Sequence, residues 1–332
     1  MTPATILRVK NLRKWYDVRR GVIPRIVGHV KAVDDVSFDI QTNEVLGLAG
    51  ESGSGKTTIG RSVLRLIEPS SGSVVFNGTE VTSLDAGDLR RFRRKAQIIF
   101  QDPYSSLDPR MTIEEIVAEP LRVQGTFPDR HARRQRVESL LDSVSISKHF
   151  LARRPSELSG GQRQRIGIAR ALAVEPEFIV ADEPLSALDV SIQSQVINLL
   201  AELRERLSLT MLFISHDLDV VEYLCDRVVV LYLGKVMEVA ETDALFEQPL
   251  HPYTRALLAA SPKPDPTQPS THVALQGDIP SPMAAPSGCV FRTRCPHAVD
   301  ACAGHVPALE EVEPGRWVAC IRKEIVWMKA AA

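Results

Sequence analysis

One eight-residue stretch constrains the fold more than any other part of the chain. Residues 50–57 read Gly-Glu-Ser-Gly-Ser-Gly-Lys-Thr, which fits the G-x-x-x-x-G-K-[ST] pattern of a phosphate-binding loop. The apolar run Val45–Ala49 before it predicts a buried strand, and residues 57–66 after it are compatible with a helix. This order of strand, glycine loop and helix favours a working phosphate loop over a flexible Gly/Ser turn. We therefore predict that the loop wraps the phosphates of a nucleotide.

The chemistry of the loop follows from its residue types. Glycines allow successive backbone N–H groups to point inward, and the N-terminus of the following helix adds positive potential. Lys56 is expected to reach the β- and γ-phosphates, and the Thr57 hydroxyl to bind Mg²⁺. We assign to the nucleotide site Gly50, Glu51, Ser52, Gly53, Ser54, Gly55, Lys56, Thr57 and Thr58.

Composition and charge limit the possible partners. Lys and Arg total 40 against 41 Asp and Glu, so the net charge of -1 creates no overall field for nucleic acid or anionic lipid. Basic clusters at residues 90–95 and 130–136 are interpreted as solvated helix faces. The N-terminal residues lack the apolar core of a signal peptide, and no apolar run approaches the roughly 20 residues of a membrane span. We expect a soluble, cytosolic chain that reaches a membrane only through a partner.

The order of elements predicts an α/β fold. Residues 6–100 contain short β-branched runs separated by turn signals, and residues 102–155 have helical spacing, which indicates an inserted helical subdomain. Strand and helix then alternate, and the strands are fully apolar. That pattern favours a mostly parallel sheet covered by helices. Prolines accumulate beyond residue 248 and indicate a linker to a small C-terminal appendix.

Two further segments carry candidate chemistry. The run Phe178-Ile179-Val180-Ala181-Asp182-Glu183 places Asp182 at the carboxyl end of a strand, where it could hold Mg²⁺ through water. Glu183 could then orient or deprotonate an attacking water, although strands also end in ordinary surface acids. Ser159 is a good N-cap, and Gly160 and Gly161 permit close backbone approach to a ligand. By itself this segment is either a second anion site or a well-capped helix.

The sequence resembles a known family. Leu158-Ser159-Gly160-Gly161-Gln162 is similar to the signature sequence of ATP-binding-cassette (ABC) ATPases. Gln101 matches the Q-loop, Ser186-Ala187-Leu188-Asp189 the D-loop and His216 the switch histidine. Tyr16 lies where the family stacks an aromatic ring on adenine. The resemblance covers about residues 5–260, with all motifs in order.

The resemblance implies a P-loop NTPase (RecA-like) fold with a mostly parallel core, an antiparallel β subdomain and a helical insertion at about residues 102–156. The ATPase domain would span residues 5–248, and residues 249–332 would form the linker and a cysteine-containing extension. Two cassettes would pair head to tail, enclosing ATP between the phosphate loop of one and the signature of the other. That site is expected to comprise the loop residues above together with Tyr16, Ser159, Gly160, Gly161, Gln162 and Asp189.

The same resemblance assigns catalytic roles. Thr57, Gln101 and Asp182 would hold Mg²⁺. Glu183 would act as base, and His216 would keep water and γ-phosphate in line. Gln101 would link the site to the helical subdomain, whose groove would receive a membrane subunit.

Three segments, at residues 100–110, 187–193 and 251–255, resemble ATPases of dipeptide and oligopeptide importers. This implies a second ATPase subunit, identical or different, two membrane permeases, an extracytoplasmic binding protein and a position at the cytoplasmic face of the membrane. Importers for nickel and glutathione share much of this pattern. A soluble ABC ATPase acting on ribosomes or DNA is the rival function. It is disfavoured because the chain has one cassette, no heptad run and near-neutral charge.

Four of the five cysteines crowd the C-terminal region: Cys289, Cys295, Cys302 and Cys320. In a cytosolic chain such crowding favours metal binding, although the C-x₂-C knuckles of structural zinc sites are absent. Peptide-importer ATPases often carry a similar cluster, and some are thought to bind a [4Fe–4S] cluster. Iron–sulfur, zinc and reduced structural thiols all remain open. Cys225 is expected to pack in the core from a helix.

Overall fold

The computed structural model describes residues 4–21, 25–260 and 277–326, so Pro262, Pro264, Pro266 and Pro269 of the predicted linker lie outside the described residues. The strands are β1 Thr5–Arg20, β2 Arg25–Gln41, β3 Val45–Ala49, β4 Ser71–Phe76, β5 Thr79–Glu80, β6 Ala96–Ile99, β7 Phe178–Asp182, β8 Thr210–Ile214, β9 Arg227–Tyr232, β10 Lys235–Glu241, β11 Glu310–Glu313 and β12 Arg316–Val318. The helices are α1 Lys56–Val63, α2 Ala86–Lys95, α3 Ile113–Gln124, α4 Arg130–Ser143, α5 Gly160–Leu172, α6 Val190–Leu207, α7 Leu218–Leu224, α8 Thr242–Glu247, α9 Pro252–Ala260, α10 Ala301–Gly304 and α11 Lys323–Val326.

The chain forms two compact units, each built from several segments. The first contains residues 41–44 and 83–214, and the second contains residues 5–40, 45–82 and the chain from residue 215 onward.

A parallel sheet organises the first unit. Strands β6, β7 and β8 pair side by side, with Ala96 opposite Phe178 and Phe178 opposite Thr210. Every residue of β7 and β8 is buried. This burial explains why both strands read as continuous apolar runs, since helices cover both faces of a parallel sheet. Residues 102–156, all of them described, contain α3, α4 and two 3₁₀ turns but no strand, as the sequence predicts.

The second unit combines two sheets. In one, β3 pairs in parallel with β9, which continues through an antiparallel series of β10, β12 and β11. The other has the strand order β2-β1-β4-β5, and β1 runs antiparallel to β4 with Leu7 opposite Phe76. The predicted α/β fold, with parallel core strands and an antiparallel β subdomain, is confirmed.

Strands β1 and β2 extend well beyond the apolar runs that predicted them. Apolar residues mark only the buried parts, around residues 6–12 and 33–40. The outer parts are polar, and side chains interact across the two strands there. His29 Nδ1 lies 3.0 Å from an Asp17 carboxylate oxygen, and the Lys31 ammonium lies 4.6 Å from the centre of the Trp15 ring. Cross-strand pairs of this kind stabilise a ribbon without a hydrophobic signal in the sequence.

Two predicted element boundaries are wrong by a few residues. Helix α1 ends at Val63 rather than at Leu66, because Arg65 adopts a left-handed backbone (φ 48°) that breaks the helical path. Cys225 was expected on a helix. Helix α7 instead ends at Leu224, and Cys225 is extended (φ -95°, ψ 147°). Its burial agrees with the predicted core role, since its Sγ lies 3.0 Å from where a Cβ on Gly47 would stand.

The two basic clusters form solvated faces, as predicted. Most of the cationic side chains of α2 and α4 are exposed, while Phe92 of α2 and Val137, Leu140 and Leu141 of α4 are buried. Within the described part of the chain, no helix has the length and apolar character needed to cross a membrane.

Candidate nucleotide-binding and hydrolysis site

The phosphate loop connects β3 to α1 within the second unit. Helix α1 begins at Lys56, and Gly55 at its N-cap offers no side chain to bond the first amides. Lys56 is buried, and its ammonium donates hydrogen bonds to the carbonyl oxygens of Gly50 (2.7 Å) and Glu51 (3.0 Å). The Gly234 amide donates to the Ser54 carbonyl at 2.9 Å, which ties the loop to the turn after β9. The loop is thus curled around its own lysine at a helix N-terminus, an arrangement suited to anions.

The other predicted site residues of this unit lie in the first turn of α1, within β1 and after β8. Thr57 and Thr58 are half-buried in the first turn of α1. Tyr16 lies on β1 with its side chain exposed, and the Lys14 ammonium is 5.0 Å from the centre of its ring. His216 is exposed in the short connection between β8 and α7.

The acidic pair lies at the carboxyl end of β7 in the first unit. Asp182 is fully buried, and Glu183 follows it with a left-handed backbone (φ 44°). The Glu183 amide donates to the Ile214 carbonyl at 3.0 Å, so β8 holds this unusual conformation. Gln101 Nε2 donates to Glu183 Oε2 at 2.9 Å. The structure therefore brings together Gln101 and Glu183, which are separated by 82 residues.

The Leu-Ser-Gly-Gly-Gln segment starts α5 with a complete capping box. The Ser159 hydroxyl accepts from the Gln162 amide at 3.3 Å, and the Gln162 side chain accepts from the Ser159 amide at 3.0 Å. The predicted N-cap is confirmed. Close packing against α6 also requires a glycine at position 161, because a Cβ there would lie 2.4 Å from the Ile192 side chain. Asp189 is exposed at the start of α6 and makes no side-chain cap.

The segment after Gln101 packs on the same helix. The Arg163 guanidinium on α5 stacks over the Tyr104 ring at 4.1 Å. The Arg163 Nε also donates to the Pro155 carbonyl at 2.6 Å. The polar residues that precede and begin α5 are therefore joined to the Gln101 segment through contacts within one unit.

Sequence reasoning missed the partners of Glu51 in the phosphate loop. The Arg294 guanidinium forms two hydrogen bonds to the Glu51 carboxylate, at 2.6 and 3.0 Å. The Tyr253 hydroxyl accepts from the Glu51 amide at 2.9 Å. Tyr253 belongs to the His-Pro-Tyr-Thr-Arg segment that carried part of the family resemblance, whereas Arg294, 243 positions from Glu51, had no sequence signal.

The four C-terminal cysteines surround one small cavity of about 20 Å³ in the second unit. The Cys289 amide also donates to the Cys302 carbonyl at 2.8 Å. Burial raises the pKa of the Cys289 and Cys320 thiols and raises that of Cys295 to about 11. Across the described ranges, however, no group of three or more His, Cys, Asp or Glu side chains has an arrangement that could hold a metal ion. A cavity of this size has room for about one water molecule or ion.

His251 predicts an acid-sensitive fold. It is fully enclosed, its Nδ1 accepts from the Tyr253 amide at 3.0 Å, and burial lowers its pKa to about 3. Between pH 6.5 and 3 the unfolded chain binds a proton that the folded chain excludes, so stability falls as pH falls through this window. At pH 5 the expected loss is about 2 kcal/mol.

The variant His251→Asn isolates this effect, because asparagine keeps an acceptor for the Tyr253 amide and does not titrate. Urea unfolding at pH 7 and pH 5 should show a loss in the native protein larger by about 2 kcal/mol than in the variant. Equal losses in both proteins would assign the acid sensitivity to other groups. Burial raises the pKa of nearby Glu238, an effect of opposite sign that is common to both proteins.

The order of strand, phosphate loop and helix, with β3 paired in parallel to β9, is that of a P-loop nucleotide-binding ATPase. Residues 33–186 match the ABC transporter family, and residues 237–302 match the C-terminal region of oligopeptide/dipeptide transporters. The chain belongs to the ABC transporter family, as an ATPase subunit.

Relatives match along nearly the whole chain. The Brucella abortus protein named "Putative peptide import ATP-binding protein" is 58% identical over 98% of this chain and 100% of its own length. The oligopeptide transport ATP-binding protein AppF of Bacillus subtilis is 48% identical over 95% of this chain and 97% of its own. A solved dimeric ATP-binding cassette in a post-hydrolysis state, bound to ADP and Pi, superimposes with a TM-score of 0.64. It shares 31% identity and covers 71% of this chain and 98% of that cassette.

Proposed function

We propose that the chain hydrolyses ATP to drive import of dipeptides or oligopeptides through membrane permeases. One observation carries the choice of cargo: residues 237–302 match the C-terminal region of oligopeptide/dipeptide transporters, outside the segment that matches ABC transporters in general. The full-length relatives named for peptide import or transport support the same choice. An importer for nickel or glutathione is the alternative cargo assignment.

Each site residue has its own role in the proposed hydrolysis of ATP. The backbone amides of residues 50–57 bind the phosphates. The Lys56 ammonium leaves its hydrogen bonds to the loop carbonyls and bonds to β- and γ-phosphate oxygens instead. Thr57, Gln101 and Asp182 are the proposed Mg²⁺ ligands. The metal would neutralise charge that develops on the transferred phosphoryl group. Glu183 accepts the proton of the attacking water at Oε1 or Oε2, and Gln101 holds that carboxylate in place. His216 keeps the water and γ-phosphate in line.

A second cassette completes the proposed site. Ser159, Gly160, Gly161 and Gln162 of one subunit contact the nucleotide held by the loop of the other, and Asp189 contacts the partner subunit. Tyr16 stacks on the adenine ring. Closure excludes water and strengthens electrostatic interactions around the phosphoryl group. The second cassette is an identical or a related chain, and two permeases and an extracytoplasmic binding protein complete an importer at the cytoplasmic face of the membrane.

Reconstitution of the complex tests this proposal. The chain is co-expressed with candidate permease subunits, and ATPase activity is measured with a candidate binding protein loaded with di- and oligopeptides, nickel or glutathione. Peptide stimulation supports the proposal, and stimulation by nickel or glutathione alone reassigns the cargo. A chain that stays soluble without associating with these permeases contradicts the importer function.

For the C-terminal cysteines we propose a metal centre, with a [4Fe–4S] cluster and zinc as the two candidates. The position of Cys289, Cys295, Cys302 and Cys320 around one cavity supports a common site, and metal binding there would require these side chains to rearrange. Metal analysis of anaerobically purified protein distinguishes the outcomes. About four iron and four sulfide per chain indicate the cluster, and one zinc indicates the ion. A metal-free protein indicates structural thiols and contradicts both.

A further inference from the structure

We propose that Arg294 is a positioning residue for ATP binding, which holds Glu51 so that the phosphate loop keeps its shape. The inference rests on the proposed binding of ATP phosphates by residues 50–57. Arg294 lies outside the segment that matches ABC transporters in general. It thereby makes the C-terminal extension part of the phosphate-binding machinery.

The contact between Arg294 and Glu51 is enclosed and two-pronged. Nη1 and Nη2 of Arg294 each donate to a different oxygen of the Glu51 carboxylate. The side chains are 5% and 21% exposed, respectively, and the Glu51 bonds raise the pKa of Arg294 further above its usual range. A planar guanidinium that bonds both oxygens fixes the orientation of a carboxylate, which a lysine cannot do equally well.

Aromatic rings hold Arg294 from the other side. Its guanidinium carbon lies 5.7 Å from the centre of the Tyr232 ring, and Nη1 lies 3.4 Å from the Tyr232 hydroxyl oxygen. Tyr232 also packs against Tyr253 and edge-on against Phe291, at ring distances of 4.8 and 5.3 Å. All three rings are buried. The C-terminal extension thus supplies Arg294 and Phe291 to a rigid cluster at the end of β9.

Two residues of the extension hold Glu51 at the beginning of the loop. Arg294 holds its carboxylate, and the Tyr253 hydroxyl accepts from its amide at 2.9 Å. The Glu51 carbonyl also accepts from Lys56 at 3.0 Å. The extension therefore acts on a residue that directly contacts the phosphate-binding lysine.

The charges at this contact indicate that loss of Arg294 would weaken ATP binding. Without Arg294, a partly buried carboxylate would be left without its guanidinium partner in a loop that must accept the negative charges of ATP. Loss of one member of a buried ion pair leaves an uncompensated charge. Arg294 therefore favours ATP binding in two ways. It neutralises the charge of Glu51, and it holds the phosphate loop in its binding shape before ATP arrives.

The test measures binding of a non-hydrolysable ATP analogue and steady-state ATPase kinetics on the full-length protein. Arg294→Met retains an unbranched stem against the aromatic rings and loses the charge. We expect the Kd of the analogue and the KM for ATP to rise about tenfold, a typical coupling between sites, with kcat changed much less. Arg294→Lys should recover part of the loss, because it restores charge without the fork. The matched control is Arg292→Met, whose native guanidinium hydrogen-bonds to Ser287 and not to the phosphate loop among the described contacts, and it should bind as the native chain does.

A double variant distinguishes positioning from general stabilisation. In Glu51→Gln/Arg294→Met no carboxylate is left uncompensated, so its Kd should lie closer to the native value than that of Arg294→Met alone. Additive losses would overturn the electrostatic argument. A lower melting temperature with an unchanged Kd for the folded Arg294→Met protein would make the pair purely structural and overturn the proposal.

A milder variant covers the case in which Arg294→Met does not fold. Tyr253→Phe removes only the acceptor of the Glu51 amide bond and should weaken analogue binding about fivefold, as expected for one hydrogen bond. Native affinity in this folded variant would contradict the proposal that the contacts of Glu51 keep the phosphate loop in its binding shape. A native protein that itself binds no analogue would instead refute the proposed function, so the two failures are distinguishable.

Discussion

Replacing Glu183 by glutamine should reduce ATP turnover by at least about a hundredfold, since a positioned general base contributes roughly two to four orders of magnitude to rate. Glutamine has nearly the same shape and can still accept the hydrogen bond from Gln101 Nε2. It cannot accept a proton from water. Nucleotide binding should therefore survive while hydrolysis stops, and ATP should trap the proposed closed dimer, which size-exclusion chromatography with ATP would detect.

The backbone conformation of Glu183 supports a functional role for this residue. A glutamate rarely adopts a left-handed backbone, and such strain persists where the surrounding structure enforces it. Here the Glu183 amide donates to the Ile214 carbonyl, and the Ser186 amide and hydroxyl both donate to the Glu183 carbonyl, at 3.3 and 3.1 Å. The conformation directs the side chain to Gln101. Glu183→Gln preserves all the backbone bonds, so a loss of turnover would report on the carboxylate alone.

Glu177→Gln is the matched control for Glu183→Gln. Glu177 directly precedes β7, and its exposed carboxylate lies 2.8 Å from the Lys95 ammonium, an exposed ion pair of the kind that contributes little to stability. The control removes one negative charge from the opposite end of the same strand and should leave turnover unchanged. Turnover near the native level in Glu183→Gln would remove Glu183 from its proposed role.

The buried strands and the helix starts could be predicted from the sequence because local rules determine them. Residues of β7 and β8 are apolar throughout because both faces of the sheet are covered. The N-cap role of Ser159 depends on local sequence alone, and its hydroxyl accepts from the Gln162 amide as that role requires. The position of Asp182 at the end of β7 could be predicted because it directly follows the apolar run of that strand.

Contacts between distant segments could not be predicted. Nothing in the local sequence of Arg294 indicates that it bonds Glu51, because the pairing depends on how the C-terminal extension packs at the end of β9. The outer part of β1 had no signal either, since polar residues there are held by backbone pairing rather than by burial. The cysteine spacing indicated a shared site, whereas the size of the cavity depends on the fold of the whole extension.

Gly50→Ala should destabilise the protein by about 3 kcal/mol or more and abolish nucleotide binding, because two costs of strain and overpacking add. Gly50 has φ +144°, a conformation that residues with a Cβ rarely adopt. A Cβ there would lie 2.2 Å from the carbonyl oxygen of Leu231 on β9, and a backbone atom cannot move aside as a flexible side chain can. The loop would have to leave β9, which would also displace the Gly50 carbonyl from Lys56.

Gly53→Ala is a comparison in the same loop that introduces no clash. Gly53 also has a left-handed backbone (φ +78°), but a Cβ there would meet no atom within 4 Å. It should cost only about 1 kcal/mol, the price of left-handed geometry alone. Urea unfolding and analogue binding measured on both variants provide the comparison. Equal destabilisation of the two would mean that contact with Leu231 is unimportant. A clearly larger loss at Gly50 would show that its backbone conformation and its close packing on β9 together hold the start of the phosphate loop in place.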